Sequence, residues 1–180
     1  MDLRGVLERV MSLFRQREID CALIAGLALA AHGAPRATVD LDLLVDGDRA
    51  DEVDALLGSI GYRALYRSDP VGNYTADDPA LGRIDVLFVR RRYGRAMLQR
   101  AVTLPGTSVP GVRVVDAADL IGLKLQSLSN DPARERLDLS DIDRLLRSPA
   151  AIDLERVREY FRLFERESLL EDLLARVPGR

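Results

Sequence analysis

Residues 23–45 read Leu-Ile-Ala-Gly-Leu-Ala-Leu-Ala-Ala-His-Gly-Ala-Pro-Arg-Ala-Thr-Val-Asp-Leu-Asp-Leu-Leu-Val, and the stretch from Thr38 to Val45 decides the fold. Acid and aliphatic residues alternate there, the period of a strand with one face buried. Asp40 and Asp42 project to one side, while Val39, Leu41 and Leu43 are expected to face the opposite way, into a core. The two carboxylates start about 6–7 Å apart along the strand. At an effective dielectric near 20 they repel by roughly 2–3 kcal/mol. A divalent cation between them would reverse that sign, and hard cations such as Mg²⁺ take one or two carboxylates plus phosphates and water. A solvated strand face balanced by Arg36 and Arg83 is the competing reading.

Working outward, 21–25 is an apolar run that predicts a buried strand, and Leu27 to Ala31 predicts a short helix ending before Gly33 and Pro35. Residues 2–17 carry Leu3, Val6, Leu7, Val10, Met11 and Phe14 at helical spacing. The turn signal Asp46-Gly47 precedes a helix over 48–60, and 62–66 reads as a strand. The stretch 67–80, with Pro70, Gly72, Asn73 and Pro79, reads as a loop. Strands are expected at 83–89 and 112–115, with a basic helix over 93–100. Beyond Val115 the pattern is helical only: 116–128, a segment opened by Asp131-Pro132, then 153–164 and 167–177. The expected fold class is α+β, a mixed sheet flanked by helices over 1–115 and a helical C-terminal part over 116–180 packed on it.

Composition narrows the function classes. The chain has 180 residues, a net charge of −3 and a single cysteine, Cys21. No internal disulfide can form, and the whole molecule is not an electrostatic magnet for nucleic acid. No stretch is apolar and long enough for a membrane span, so a cytoplasmic location without membrane contact is expected. Of 26 basic residues one is a lysine, Lys124, where a compact ammonium stands in a chain that otherwise uses arginine.

Asp85 is a third acid, flanked in a strand by Ile84 and Val86, where a lone carboxylate is out of place unless its face lines a cleft. Ala25-Gly26, Arg36-x-Thr38-x-Asp40-x-Asp42 and then Asp85 together resemble the DNA polymerase β-like nucleotidyltransferase superfamily. Its small prokaryotic and abortive-infection toxin members are the nearest in pattern, and the resemblance covers roughly 21–146. Asp119-Leu-Ile-Gly-Leu-Lys124 and Arg136-Leu-Asp138-Leu-Ser-Asp141 are similar to the helical tail of that group. The chain departs from the pattern at Ala25, where a first glycine is usual, and at Leu27, where serine is usual. A positive φ at 25 would be strained.

The resemblance implies a nucleotidyltransferase fold and metal-dependent transfer of a nucleoside monophosphate from an NTP to an acceptor hydroxyl. Asp40, Asp42 and Asp85 would be catalytic and hold Mg²⁺ or Mn²⁺. Gly26, Leu27, Arg36, Thr38 and Lys124 would contact the nucleotide, with Asp138 a further candidate. The acceptor is open between RNA at a tRNA 3′ end, a protein, and a small molecule such as an aminoglycoside, and a toxin of this type implies an antitoxin partner. The alternative is a catalytically inactive nucleotide- or partner-binding module with the same fold.

Lesser readings complete the set. Asp138 and Asp141, three apart on a helix, are expected as surface partners of Arg134, Arg136 or Arg144. Arg90, Arg91, Arg92, Arg95 and Arg100 read as a solvated face or an RNA-steering cluster. His32 reads as a helix C-terminal cap, and Tyr62, Tyr66, Phe161 and Phe164 as core residues.

Overall fold

The alternation at Asp40–Asp46 forms β2, the strand around which the sheet is built. Leu41, Leu43, Leu44 and Val45 are fully buried, whereas Asp40 and Asp42 are half-exposed. The computed structural model describes residues 2–103, 109 and 111–177. It divides into two compact units, Met1–Ala28 with Ala37–Val115, and Leu29–Arg36 with Asp116–Arg180.

In the first unit, α1 (Leu3–Gln16) leads to β1 (Cys21–Leu23), and α2 (Ala25–Ala31) begins in this unit and ends in the other. After β2 come α3 (Ala50–Ser59), β3 (Tyr62–Arg67), β4 (Val71–Ala76), β5 (Arg83–Val89), α4 (Arg92–Arg100), β6 (Val102–Thr103) and β7 (Arg113–Val114). Among the described residues the strands form one mixed sheet in the order β3-β4-β5-β2-β1-β7-β6. β2 runs parallel to β5 and antiparallel to β1. Helices α1 and α3 pack on each other, α1 and α4 against β2, and α3 against β3. Val6, Leu7, Val10, Met11 and Phe14 are buried, as the amphipathic period of α1 requires.

Several expectations are corrected. The expected loop 67–80 contains β4, which pairs with β3 on one side and β5 on the other. Pro70, Gly72 and Asn73 hide it, yet Val71, Tyr74 and Thr75 are strand formers. The first strand ends at Leu23, and Ala25 already belongs to α2. Thr38 and Val39 precede β2, and Val39 is 70% exposed instead of core because the ladder begins one residue later. Tyr66 is also exposed, since β3 is an edge strand with a register shift between Ala64 and Tyr66. Phe164 is half-buried at the end of its helix, while Tyr62 and Phe161 are buried as expected.

The second unit contains α5 (Ala117–Asn130), α6 (Glu135–Arg147), α7 (Leu154–Leu163) and α8 (Glu167–Leu174). Asp116 caps α5 by accepting from the Ala118 N–H, and Asp153 caps α7 by accepting from the Arg156 N–H. Helix α5 packs against both α6 and α7. Gly122 permits the second contact: a Cβ there would fall 2.9 Å from the Tyr160 ring. Tyr160 donates to Asp119 Oδ1 at 2.8 Å, which satisfies a fully buried carboxylate. His32 follows α2 and is buried.

Candidate active site

The site is built on three adjacent strands of the first unit. In the parallel pair of β2 and β5, Asp42 lies in register with Asp85, and Asp40 with Arg83. Residues in register on parallel neighbours share a face and stand about 4.8 Å apart at the backbone. Asp40, Asp42 and Asp85 therefore project to the same side, all half-exposed. The other side of these two strands carries Leu41, Leu43, Ile84 and Val86, each at most 1% exposed. The half-exposed carboxylates keep their solvation while the alternate aliphatic positions form the core.

Asp85 has a partner that the sequence reading missed. Asn73 is its register neighbour on β4, and Asn73 Nδ2 donates to Asp85 Oδ1 at 2.7 Å. The alternation around Asn73 carries the signal, and Pro70, Gly72 and Pro79 give the same stretch the look of a loop. The order β4-β5-β2 thus gathers Asn73, Asp85, Asp42 and Asp40 on one face.

The junction of β1 and α2 adjoins this face. Ile24 N–H donates to the Asp42 carbonyl at 3.1 Å. Ala25 takes φ +48°, the left-handed conformation that glycine adopts readily and alanine does not. Gly26 is buried, and a Cβ on it would fall 2.5 Å from Thr38 Cβ and Oγ1. The glycine lets Thr38 close over the first turn of α2, where Leu27 also lies. Thr38 Oγ1 is 3.5 Å from the Asp40 carbonyl, a long contact.

The carboxylates of the strand face suit a hard cation in chemistry. Among the described residues, no group of three His, Cys, Asp or Glu side chains is near enough to hold a metal ion without help. The donor set fits an ion of the Mg²⁺ kind, which takes one or two carboxylates and completes its shell with substrate phosphates and water. It does not fit a cation enclosed by protein ligands.

Arg36, Lys124 and Asp138 belong to the second unit. Lys124 Nζ lies 2.9 Å from Asp138 Oδ1 and 2.7 Å from Asp141 Oδ2, and Arg36 Nε lies 3.1 Å from Asp141 Oδ1. Asp138 and Asp141 are fully buried, which overturns the expectation of surface acids. Their cations are Lys124 and Arg36, because α5 and α6 turn those faces toward the interior of the unit. Of the arginines expected there, Arg134 alone approaches, with Nε 3.5 Å from Asp138 Oδ2, and Arg144 instead donates to the Pro35 carbonyl.

The arginine cluster after β5 is partly committed. Arg90 pairs with Asp69 at 2.6 Å and donates to the Gly47 carbonyl, while Arg95 pairs with Asp46 and Asp48. Arg91 and Arg92 are exposed. Near β1, burial pushes the Cys21 thiol up to about 12, reinforced by the Asp20 carboxylate and opposed by Arg113 and Arg15. This cysteine is inert toward thiolate chemistry at neutral pH. Among the described residues no helix is long and apolar enough to cross a membrane.

Comparison with solved structures finds the same fold in nucleotidyltransferases. The chain is similar to the antibiotic-resistance factor ANT(2'')-Ia in its solution structure, with TM-score 0.67 and 16% identity over 96% of this chain and 97% of that one. It is also similar to the lincosamide antibiotic adenylyltransferase LnuA with lincomycin bound, with TM-score 0.55 and 15% identity over 78% of this chain and 94% of that one. The Megavirus polyadenylate synthase is similar at TM-score 0.55 and 13% identity over 79% of this chain and 30% of that one. Comparison with curated protein sequences found no match. The family model described as nucleotidyl transferase AbiEii toxin, Type IV TA system, matches residues 14–178. With that match spanning both units, the chain belongs to the AbiEii family of nucleotidyltransferase toxins.

Proposed function

We propose that the strand face of the first unit carries metal-dependent transfer of a nucleoside monophosphate from an NTP to an acceptor hydroxyl. The observation that supports it is the register of Asp42 with Asp85, with Asp40 on the same face. Asp40 and Asp42 would hold Mg²⁺ or Mn²⁺, and Asp85 would share in that task. The ion, when bound, neutralises charge developing on the phosphoryl oxygens. Asn73 fixes the orientation of Asp85 by donating to Oδ1. Asp85 takes the proton of the attacking hydroxyl. The acceptor oxygen bonds to the α-phosphorus, the bond to the bridging oxygen of the β-phosphate breaks, and pyrophosphate leaves. Gly26 and Leu27 supply backbone N–H groups, and Thr38 a hydroxyl, on the triphosphate side. Arg36, Lys124 and Asp138, which the resemblance assigns to the nucleotide, belong to the second unit. Within their own unit these cations already neutralise Asp138 and Asp141.

The first acceptor reading is an RNA such as a tRNA 3′ end, or a protein, modified by a toxin that an antitoxin restrains in a cytoplasmic setting, and the match to a toxin–antitoxin family supports the toxin part of it. A small hydroxylated acceptor is the second reading. It is favoured by the near-complete mutual coverage with ANT(2'')-Ia, which has also been solved in complex with adenylyl-2''-tobramycin. Calorimetric titration with each NTP and Mg²⁺ tests the first step. Transfer of α-phosphate label to total RNA, to protein and to an aminoglycoside then separates the acceptors. Nucleotide binding with no transfer to any of the three would favour the inactive module instead.

A further inference from the structure

We infer that Ala25 is a positioning residue: its left-handed backbone, rather than any contact with substrate, sets the acidic strand β2 in place. Among the described residues three non-glycine positions have positive φ: Glu18, Ala25 and Glu165. Glu18 and Glu165 directly follow the C-caps of α1 and α7, where a left-handed residue is an ordinary helix stop. Ala25 is different, because it lies between the end of β1 and the body of α2.

Both its neighbours are pinned to the chain that carries the acids. Ile24 N–H donates to the carbonyl of Asp42 itself at 3.1 Å. Gly26 sits so near Thr38, two residues before Asp40, that even a methyl group there would collide. One residue earlier, the Leu23 carbonyl accepts from Val115 N–H at 3.0 Å, which fixes the strand end from the other side. The backbone must turn from strand into helix at one residue, and that residue is Ala25. Relaxation to an ordinary negative φ would pull Ile24 off Asp42, or Gly26 off Thr38. A strained conformation persists where its surroundings over-determine it, and such positions gather at functional sites.

The inference rests on reading Asp40 and Asp42 as cation ligands. Its test uses the full chain, urea unfolding, and Mn²⁺ binding followed by electron paramagnetic resonance. Ala25→Gly relieves the steric penalty and is expected to raise the folding equilibrium constant about five- to thirty-fold, with Mn²⁺ affinity unchanged. Ala25→Asn, larger than alanine yet tolerant of a left-handed backbone, is expected to keep that affinity. Ala25→Val, β-branched and intolerant of it, is expected to weaken Mn²⁺ binding by about tenfold or more while far-ultraviolet dichroism stays native. A valine variant that folds and binds Mn²⁺ like the parent overturns the positioning role. A glycine variant no more stable than the parent overturns it as well, and needs no valine protein. Asp42→Asn is the separate control. If it binds Mn²⁺ as the parent does, the cation reading fails, and with it this inference, whatever the stability of the glycine variant.

Discussion

Lys124→Met removes the one ammonium from a buried cluster, and its cost can be worked from the geometry. Lys124 is bonded to Asp138 and Asp141, with side-chain exposures of 7% for the lysine and 0% and 1% for the acids. Breaking a buried pair by deleting one partner costs about 3–5 kcal/mol, because the surviving charge stays buried. Asp141 keeps Arg36 at 3.1 Å. Among the described residues, Asp138 keeps only the more distant Nε of Arg134, at 3.5 Å on a side chain that is half-exposed. Most of the loss therefore sits on Asp138. Lys124→Met with Asp138→Asn removes that stranded charge, and should recover about 1–3 kcal/mol relative to the sum of the single variants. Urea unfolding at neutral pH with a shared m-value measures all three. A single-variant cost below about 1 kcal/mol, or strict additivity in the double variant, would refute the reasoning.

Other consequences follow from the same physics. Gly26→Ala forces a Cβ to 2.5 Å from Thr38 and should cost about 1–3 kcal/mol, recovered in part by Thr38→Gly; thermal unfolding of the pair checks it. Cys21 keeps its proton up to about pH 12 in the fold, whereas an unfolded thiol loses it near pH 8.5. The native chain then holds more protons than the unfolded one across that window, so stability is full below it and falls as pH rises, by up to about 1.4 kcal/mol per pH unit. Cys21→Ala should flatten that slope in urea titrations, and an unchanged slope would assign it elsewhere. Tyr160→Phe deletes a donor to the fully buried Asp119 and should cost about 1–3 kcal/mol, read by the unfolding midpoint.

Much of this was legible in the residues because it depends on local periodicity. Asp40 and Asp42 share a face by strand geometry alone, and α1 declares its buried stripe. The role of Asn73 was not legible, since it exists only once β4 lies beside β5, a long-range pairing hidden by Pro70 and Gly72. Val39 shows the limit of alternation, which gives the face of a residue within a ladder but not where the ladder begins. An i, i+3 acid pair near arginines reads as a surface feature, yet Asp138 and Asp141 are fully buried. Their cations, Lys124 and Arg36, lie on other segments, and no local rule connects those segments. The left-handed backbone at Ala25 was legible only as a conflict between the residue present and the glycine the pattern favours, and the structure resolves that conflict by strain.

The most direct test compares the parent chain with Asp42→Asn and Asp85→Asn in one assay, the release of pyrophosphate coupled to incorporation of α-phosphate label into acceptor. Both variants should fold as the parent does, because their side chains lie on the half-exposed face, and both should lose about a thousandfold or more in rate. Transfer at the parent rate by a folded Asp42→Asn protein would contradict the account and move the chemistry away from β2.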